Sequence, residues 1–504
     1  MTGLAGFVSK DRSHTSKFNS IREFINHRGN EYKICESYLM PKESTKLSLS
    51  LFLNHNQKLK ILENNNGFFL LDIFYISESN WKKIIQFIQE TPFDELNDKI
   101  EESLSIGGFI SAKVVGDEVM FYRSRDGSIP FYYSHNTGEI AFSSEKKGLY
   151  AISHFNVMRL KPGEQLILKN DTEISVTPAP PMKLSEDVRT EEEQLEDLKR
   201  IVTRPFNQLR GLDKCGVLFS GGVDSSLAAL LTKKNCENVL LFSASSKESH
   251  DTSVACDSAE YLDLPLVITE ISPELIWESL PSVLYSIETS VRMHVEIALP
   301  FFISSKTANE LGYSVLISGQ GPDELFGGYA RHIRLYQEKN QQNLNEQLRD
   351  EISVTHENNI ERDEKAVAFN SESIFFPFLD PEFVRFSLNV PAKFKLNPNQ
   401  QVSRKIIFRK LAEELGLSPM IAQRPKKATQ YSSGTSKMIE IAFLTECPNY
   451  GKASAKEKKD LIQTILDSML FELGFPGRKP ASTGTAFNRE PLDSLKDLIE
   501  QGKA

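Results

Sequence analysis

Seven consecutive residues, Ser220-Gly221-Gly222-Val223-Asp224-Ser225-Ser226, combine the parts of a phosphate cradle. Adjacent glycines let the backbone turn tightly and present successive N–H groups with no Cβ in the way. The three serines add hydroxyl donors, and a helix starting there adds the positive end of its dipole. Asp224 would repel a bare phosphate, so its presence implies Mg²⁺ between the two. No lysine follows the glycines, which separates this segment from the GxxxxGK loop of other nucleotide-binding proteins. A Gly-Gly turn capped by an acid at a helix start needs no ligand. The context favours the nucleotide. Cys215 to Phe219 before the loop is a continuous apolar run, as in a buried parallel strand, and Val223, Leu227, Leu230 and Leu231 after it recur at helical spacing.

A second segment, Ser318-Gly319-Gln320-Gly321-Pro322-Asp323-Glu324-Leu325-Phe326-Gly327-Gly328-Tyr329, also follows a short apolar run, Val315-Leu316-Ile317. In an open parallel sheet, loops at the carboxyl ends of neighbouring strands converge on one crevice. That would bring Asp323 and Glu324 near Asp224, and carboxylates from two loops facing a triphosphate make a magnesium site. Alone, an Asp-Glu pair beside glycines reads as a solvated helix start.

The elements that must hold these loops change character along the chain. The first 170 residues alternate short apolar or aromatic runs with Gly, Asp and Asn turns, as at Gly116-Asp117, Arg125-Asp126-Gly127 and Asn136-Thr137-Gly138, and read as strand-rich hairpins. Pro178, Pro180 and Pro181 mark a linker at about 176–190. Beyond it, strand and helix patterns alternate, giving an α/β layered domain with a parallel sheet, and 330–445 is mostly helical. The last sixty residues carry Lys-rich and Gly/Pro/Ser/Thr-rich patches, with 477–490 expected to be flexible. The 504 residues suffice for two to four domains, and 59 basic against 68 acidic residues give a net charge of −9, which argues against a nucleic-acid partner. No apolar run reaches the ~18 residues of a membrane span, no secretory leader pattern opens the chain, and five scattered cysteines without a CxxC suggest neither disulfides nor zinc. The expectation is a reduced, cytoplasmic, multidomain protein.

The two loops together resemble the asparagine synthetase family of the pyrophosphatase-loop ATP group. The first is shared across that group; SGQGPDELFGGY closely resembles the family's own SGEGxDELFGGY. Ile287-Glu288-Thr289, Glu361-Arg362-Asp363, Pro377-Phe378-Leu379-Asp380 and Arg424-Pro425-Lys426-Lys427 extend the resemblance. Gly3-Leu4-Ala5-Gly6, His27-Arg28-Gly29, Arg125 to Tyr133 and Phe142-Ser143-Ser144-Glu145 look like that family's glutaminase domain. The resemblance covers about residues 1–445. It implies an N-terminal-nucleophile (Ntn) αββα sandwich over 1–175, a linker at 176–190, an ATP-pyrophosphatase α/β domain over 191–445, and a helical or flexible tail over 446–504. It also implies the chemistry: ATP converts a carboxylate to an acyl-adenylate, pyrophosphate leaves, and an amine displaces AMP. By resemblance Ser220 to Ser226 hold the pyrophosphate portion, and Phe219, Ala244, Ser318 and Gly319 contact the nucleotide. Asp224 and Asp323 take Mg²⁺, Lys426 neutralises charge developing on the phosphates, and Arg292 aligns loosely with a pyrophosphate contact. The partners implied are ATP, aspartate or a similar acid, ammonia, and a second copy in a dimer.

Two departures stand out. Where the family's glutaminases carry the nucleophilic cysteine, this chain has Thr2. An N-terminal Thr can be a nucleophile with its own amine as base, but the thiol is far more nucleophilic near neutral pH. The family's glutamine-holding segment is also unrecognisable, so a structural N-terminal domain and ammonia as nitrogen donor are expected. The second is Gln320 in place of a usual Glu; it keeps hydrogen bonding and cannot act as a general base. Four readings follow: asparagine formation from aspartate; another amide, including the intramolecular amides of lactam-forming and peptide-cyclising relatives; a non-catalytic scaffold; and a tRNA-modifying enzyme, disfavoured by the net charge and the second motif.

Overall fold

The computed structural model describes residues 3–502 except 11–12, 30, 39–45, 54–60, 65–66, 74, 116–117, 170–172, 181, 183–184, 186–187, 248, 340, 401, 426–432 and 478–485. Most of the 477–490 stretch expected to be flexible lies outside the described residues.

The N-terminal part contains β1 (Gly3–Ser9), α1 (His14–Glu23), β2 (Glu31–Tyr38), β3 (Lys46–Leu53), β4 (Ile61–Asn64), β5 (Gly67–Ile73), α2 (Glu78–Glu90), α3 (Phe93–Leu104), β6 (Phe109–Val115), β7 (Glu118–Arg123), β8 (Tyr132–Asn136), β9 (Glu139–Ser143), α4 (Lys146–Tyr150), β10 (Val157–Arg159), β11 (Gln165–Lys169) and β12 (Glu173–Thr177). The strands form two six-stranded sheets, ordered β10-β8-β9-β1-β3-β2 and β12-β11-β7-β6-β5-β4. Period-2 alternation explains the layering. On β1, Leu4 and Val8 enter the core between the sheets with Leu49, Ile110, Phe121 and Phe142. Ala5 and Phe7, on the other face, pack against Phe18 and Ile21 of α1 and Leu149 of α4. Helices α2 and α3 cover the outer face of the second sheet with Ile84, Phe93, Leu96 and Ile100. The result is the αββα sandwich expected from the sequence.

The second part contains α5 (Glu191–Thr203), β13 (Lys214–Leu218), α6 (Val223–Lys233), β14 (Asn238–Ser245), α7 (His250–Leu262), β15 (Leu266–Glu270), α8 (Pro273–Ile287), α9 (Arg292–Glu310), β16 (Val315–Ile317), α10 (Pro322–Phe326), α11 (Ala330–Lys339), α12 (Gln341–Thr355), a π-helical turn (His356–Ile360), α13 (Glu361–Ala368) and β17 (Ser373–Phe375), then further helices. Its sheet is parallel, as expected, in the order β15-β14-β13-β16-β17. Strand order reverses between β13 and β16, the place where open α/β sheets bind ligands.

Residues beyond 446 form helices Ala455–Glu472 and Glu490–Glu500. Ile462, Ile465, Leu466, Leu492 and Leu495 are buried with Trp277 and Leu280 of α8 in one core. Among the described residues no helix is long and apolar enough to cross a membrane.

A buried acid in this domain supplies a stability test. Glu372, 1% exposed, accepts from Asn309 Nδ2 at 3.1 Å through Oε1, while Oε2 has no partner among the described residues. Burial pushes its carboxyl up to about 8. A raised carboxyl pKa favours the folded state below the ordinary value near 4.5, and that contribution is lost as pH rises through 8. Glu372→Gln is therefore expected to exceed wild type in stability by about 2–4 kcal/mol above pH 8, with the difference vanishing near pH 4. Urea unfolding at both pH values checks this, and a pH-independent difference would count against it.

Candidate active site

The loop after β13 and the loop after β16 meet at the reversal of strand order. Phe219 N donates to Phe242 O at 2.7 Å, extending the β13–β14 ladder to the first loop residue. The turn needs its glycines. Gly221 has φ +72°, and a Cβ there would lie 2.5 Å from Val254 O; a Cβ on Gly319 would lie 2.8 Å from Ser225 N and 2.9 Å from the Asp224 carbonyl carbon. The second loop is thus seated directly on the first turn of α6. Ser225 Oγ lies 3.3 Å from Ser220 N and 3.2 Å from Ser220 Oγ, closing the loop on itself. From behind, Arg424 NH1 donates to Gly221 O at 3.0 Å and to Ser258 Oγ at 2.9 Å, while Ser258 Oγ donates to Gly221 O at 3.0 Å. With the loop carbonyl held outward in this way, Gly221 cannot flip its peptide toward a ligand.

Gly319→Ala makes the corresponding prediction. The neighbours it would strike are backbone, which cannot swing away, so the loops must separate by several tenths of an ångström. Affinity for the ATP expected from the loop motif should fall about tenfold or more, with global stability lowered by about 1–3 kcal/mol. Nucleotide titration beside thermal melts checks this, and unchanged affinity would refute the tight seating.

Between the loops runs a cleft with about 730 Å³ of space, counting the open solvent at its mouth. Phe219, Ser220, Asp224, Ser225, Ala244, Ser318, Gly319, Gln320 and Asp323 line it, joined by Phe242, Phe301 and Ser304, which the sequence reading did not single out. Gly221, Gly222, Val223 and Ser226 belong to the loop and the first turn of α6 without appearing in the lining. Ser226 and Val223 are buried beneath it. Thr2 and Lys426 lie outside the described residues. Arg292 is paired, through Nε to Glu296 Oε1 at 2.7 Å and NH2 to Glu440 Oε1 at 3.1 Å.

The two expected metal ligands come together around a lysine. Lys405 Nζ lies 2.7 Å from Asp224 Oδ2 and 2.6 Å from Asp323 Oδ1. Lys405 is 1% exposed and holds φ +57°, the left-handed region that side chains other than glycine rarely occupy. Gly328 makes room for it: a Cβ there would lie 1.7 Å from Asp323 Oδ1 and 2.4 Å from Lys405 Cε. The ammonium uses one oxygen of each acid, and Asp224 Oδ1 is buried without a partner among the described residues. Among those residues no group of three or more His, Cys, Asp or Glu is close enough to cage a metal. A carboxylate pair in which Asp224 keeps an unspent oxygen suits an ion that takes most of its ligands from phosphates and water, which is how Mg²⁺ is usually bound. Lys405 was absent from the sequence reading because Ser403-Arg404-Lys405 carries no motif. Its left-handed backbone is visible only in the structure.

Glu324 stands behind Asp323. It accepts from Tyr329 Oη at 2.6 Å and from Asn359 Nδ2 at 3.1 Å, and burial, reinforced by the Asp323 charge, pushes its carboxyl up to about 7. Gln320 donates through Nε2 to Asp363 Oδ2 at 2.9 Å, and Asp363 Oδ1 accepts from Arg362 Nε at 2.7 Å.

Comparison with known proteins bears on these loops. The family model "asparagine synthase" matches residues 198–354 and 336–447. A Methanocaldococcus jannaschii protein assigned as a glutamine-hydrolyzing asparagine synthetase is 32% identical over 369 residues, 64% of this chain and 68% of the relative. An asparagine synthetase domain-containing protein of Saccharomyces cerevisiae is 28% identical over 263 residues, 44% and 48% of the two chains. A glutamine-hydrolyzing asparagine synthetase of Triphysaria versicolor is 27% identical over 210 residues, 40% and 35%. The chain thus spans about half or less of the last two relatives. A solved NMN synthetase from Francisella tularensis overlays with 12% identity and a TM-score of 0.25 over 63% of this chain and 97% of that one. That overlap is too slight to argue from, and the fold rests on the sheet order and layering above.

Proposed function

This chain belongs to the asparagine synthetase family, and on that premise we propose that it is an ATP-dependent carbon–nitrogen ligase that adenylates a carboxylic acid and then amidates it. The observation that carries the reading is the meeting of Asp224, Asp323 and Lys405 on two glycine-rich loops at the sheet's switch point. A substrate carboxylate oxygen attacks the α-phosphorus of ATP, the bond to the bridging oxygen of the β-phosphate breaks, and pyrophosphate leaves. The loop around Gly221 and Gly222 and the N-terminus of α6 receive the departing anion. Lys405, and Lys426 by resemblance, offset its developing charge. Asp224 and Asp323 would hold Mg²⁺, which draws electron density from the phosphates when bound. Nitrogen then attacks the acyl carbon, the acyl–phosphate bond breaks, AMP leaves, and the nitrogen loses a proton.

The acid we propose is aspartate, after the products of the named relatives, and the nitrogen donor is ammonia. Thr2 and the missing glutamine-holding segment support ammonia over glutamine. Gln320 supports a second reading, an amide other than asparagine, because it replaces the family's charged residue in the cleft. One assay separates them: incubate the protein with ATP, Mg²⁺ and aspartate, with ammonia or glutamine, and follow pyrophosphate and asparagine. Asparagine with ammonia alone supports the first reading. Exchange of labelled pyrophosphate into ATP without asparagine, across a panel of acids, supports the second. Absence of both products overturns the ligase.

A further inference from the structure

Helix α13 carries charge on two opposed faces, and each face belongs to a different part of the molecule. Glu361, Glu364 and Lys365 recur at i, i+3 and i+4 and therefore share one face; Asp363 lies on the other. All four are at most 3% exposed. The first face is sunk into the N-terminal sandwich. Glu364 takes a bidentate pair from Arg28, NH1 to Oε1 at 2.9 Å and NH2 to Oε2 at 2.7 Å. Arg28 Nε also donates to Glu145 Oε1 at 2.5 Å. Glu361 accepts from Arg123 NH1 at 3.0 Å, from Arg159 Nε at 3.2 Å and from Tyr132 Oη at 2.5 Å. Lys365 Nζ donates to Tyr132 Oη at 2.8 Å and to Glu288 Oε2 at 2.6 Å.

The opposite face reaches the cleft. Asp363 accepts from Gln320 Nε2, and one turn earlier Asn359 donates to Glu324 beside Asp323. Only the NH2 of an amide can donate to a carboxylate, so Asp363 fixes which way the Gln320 amide faces. It leaves Oε1, an acceptor, as the atom that Gln320 offers to a molecule in the cleft. A glutamate at 320 would instead set a second carboxylate against the fully buried Asp363, so Gln320 and Asp363 are matched. The π-helical turn between α12 and α13 adds a residue to the helical register, a feature found often at functional sites. It packs against the sandwich as well: a Cβ on Gly127 would lie 2.9 Å from His356 Cβ.

We propose that the N-terminal sandwich is a positioning element of the synthetase site: its buried ion pairs hold α13 in place, so that Asp363 orients Gln320 as an acceptor for the N–H of the incoming nitrogen nucleophile. This assigns the sandwich work that requires no glutamine hydrolysis. The part played by the nucleophile rests on the ligase reading above, whereas the mechanical coupling from Glu364 to the loop at Gln320 does not.

A double-mutant cycle in the full chain tests both. Glu364→Gln is expected to lower kcat for amide formation about tenfold while the KM for ATP stays within about twofold, because positioning rather than nucleotide binding is disturbed. In a Gln320→Ala background the same change should cost less than about twofold, the mark of residues acting through one another. Equal losses in both backgrounds, or a rise in ATP KM at constant kcat, would show that the seam is merely structural. If Glu364→Gln does not fold, Glu361→Gln, whose amide oxygen still accepts from Tyr132, carries the same cycle. Amide hydrogen exchange gives a readout free of the ligase reading. Residues 318–326 should exchange several-fold faster in the Glu364→Gln protein, with β14 and β15 unchanged. Unaltered exchange there overturns the coupling even if amide formation is observed. Faster exchange in a protein that forms no amide upholds the coupling and rejects only the ligase.

Discussion

Asp224→Asn is expected to reduce pyrophosphate release to background, a loss of about 10³-fold or more. Asparagine matches aspartate in size, so the first turn of α6 and its seat beneath Gly319 should survive, and melting should shift by only a few degrees. What disappears is the charge of a carboxylate whose Oδ1 is buried without a partner among the described residues. The loop would then present donors to a triphosphate with nothing on its own side to hold a divalent ion, and Lys405 would retain Asp323 alone. Coupled-enzyme detection of pyrophosphate, with ATP affinity measured in parallel, checks the result. Release at more than about a tenth of the wild-type rate would remove Asp224 from the metal assignment.

Lys405→Met carries the second large effect, and it acts on stability and rate together. Methionine keeps most of the apolar stem and loses the ammonium that both acids share. Two carboxylates, one of them 6% exposed, would then face each other without the ammonium between them. Breaking a buried charge pair from one side costs about 3–5 kcal/mol. The variant should therefore melt well below wild type in chelator and recover a large part of that loss when Mg²⁺ and ATP are added, since a ligand that binds the folded state stabilises it. Its kcat/KM should fall about 10²–10³-fold, the usual cost of removing one fixed positive group from a site of charge development. A variant as stable as wild type in chelator, or one retaining full kcat/KM, would sink the claim that Lys405 is both counter-ion and electrostatic partner. Lys405→Arg is no rescue, for the Cε is already closed in by Gly328.

The motifs were legible because both depend on backbone chemistry that leaves a trace in residue type. Glycines stand where a Cβ would collide, as at 221 and 319, and an acid stands at the start of the helix that follows. The strands flanking those motifs were legible for a related reason: Cys215 to Phe219 and Val315 to Ile317 are buried on both faces and read as unbroken apolar runs. Strands β15 and β17 were not. Leu266–Glu270 ends in Thr and Glu, and Ser373–Phe375 is only three residues long, so neither differs locally from a loop. Lys405 was invisible because its significance is entirely tertiary, set by a left-handed backbone and by acids 181 and 82 positions away in the chain. Asp363 closes the family-like segment Glu361-Arg362-Asp363 and Glu364 follows it, yet only the helix geometry shows that neighbours in sequence serve opposite sides of one seam.

The core that spans Phe69 to Ala422 has a consequence for how the molecule is made. Every strand of the sandwich has been synthesised once residue 177 is added, so its two sheets are able to pair early. The outer side of α2 and α3 must wait longer. Phe378 and Phe383 belong to the same apolar cluster as Phe93 and Ile100, and Ser105 donates to Asp380 across 275 residues. At a synthesis rate of about 5–20 residues per second, the nascent sandwich would carry an uncovered apolar flank for ten seconds or longer. Vectorial synthesis therefore leaves a half-finished layer exposed to other chains, and chaperone demand should peak while residues 180–380 are being added.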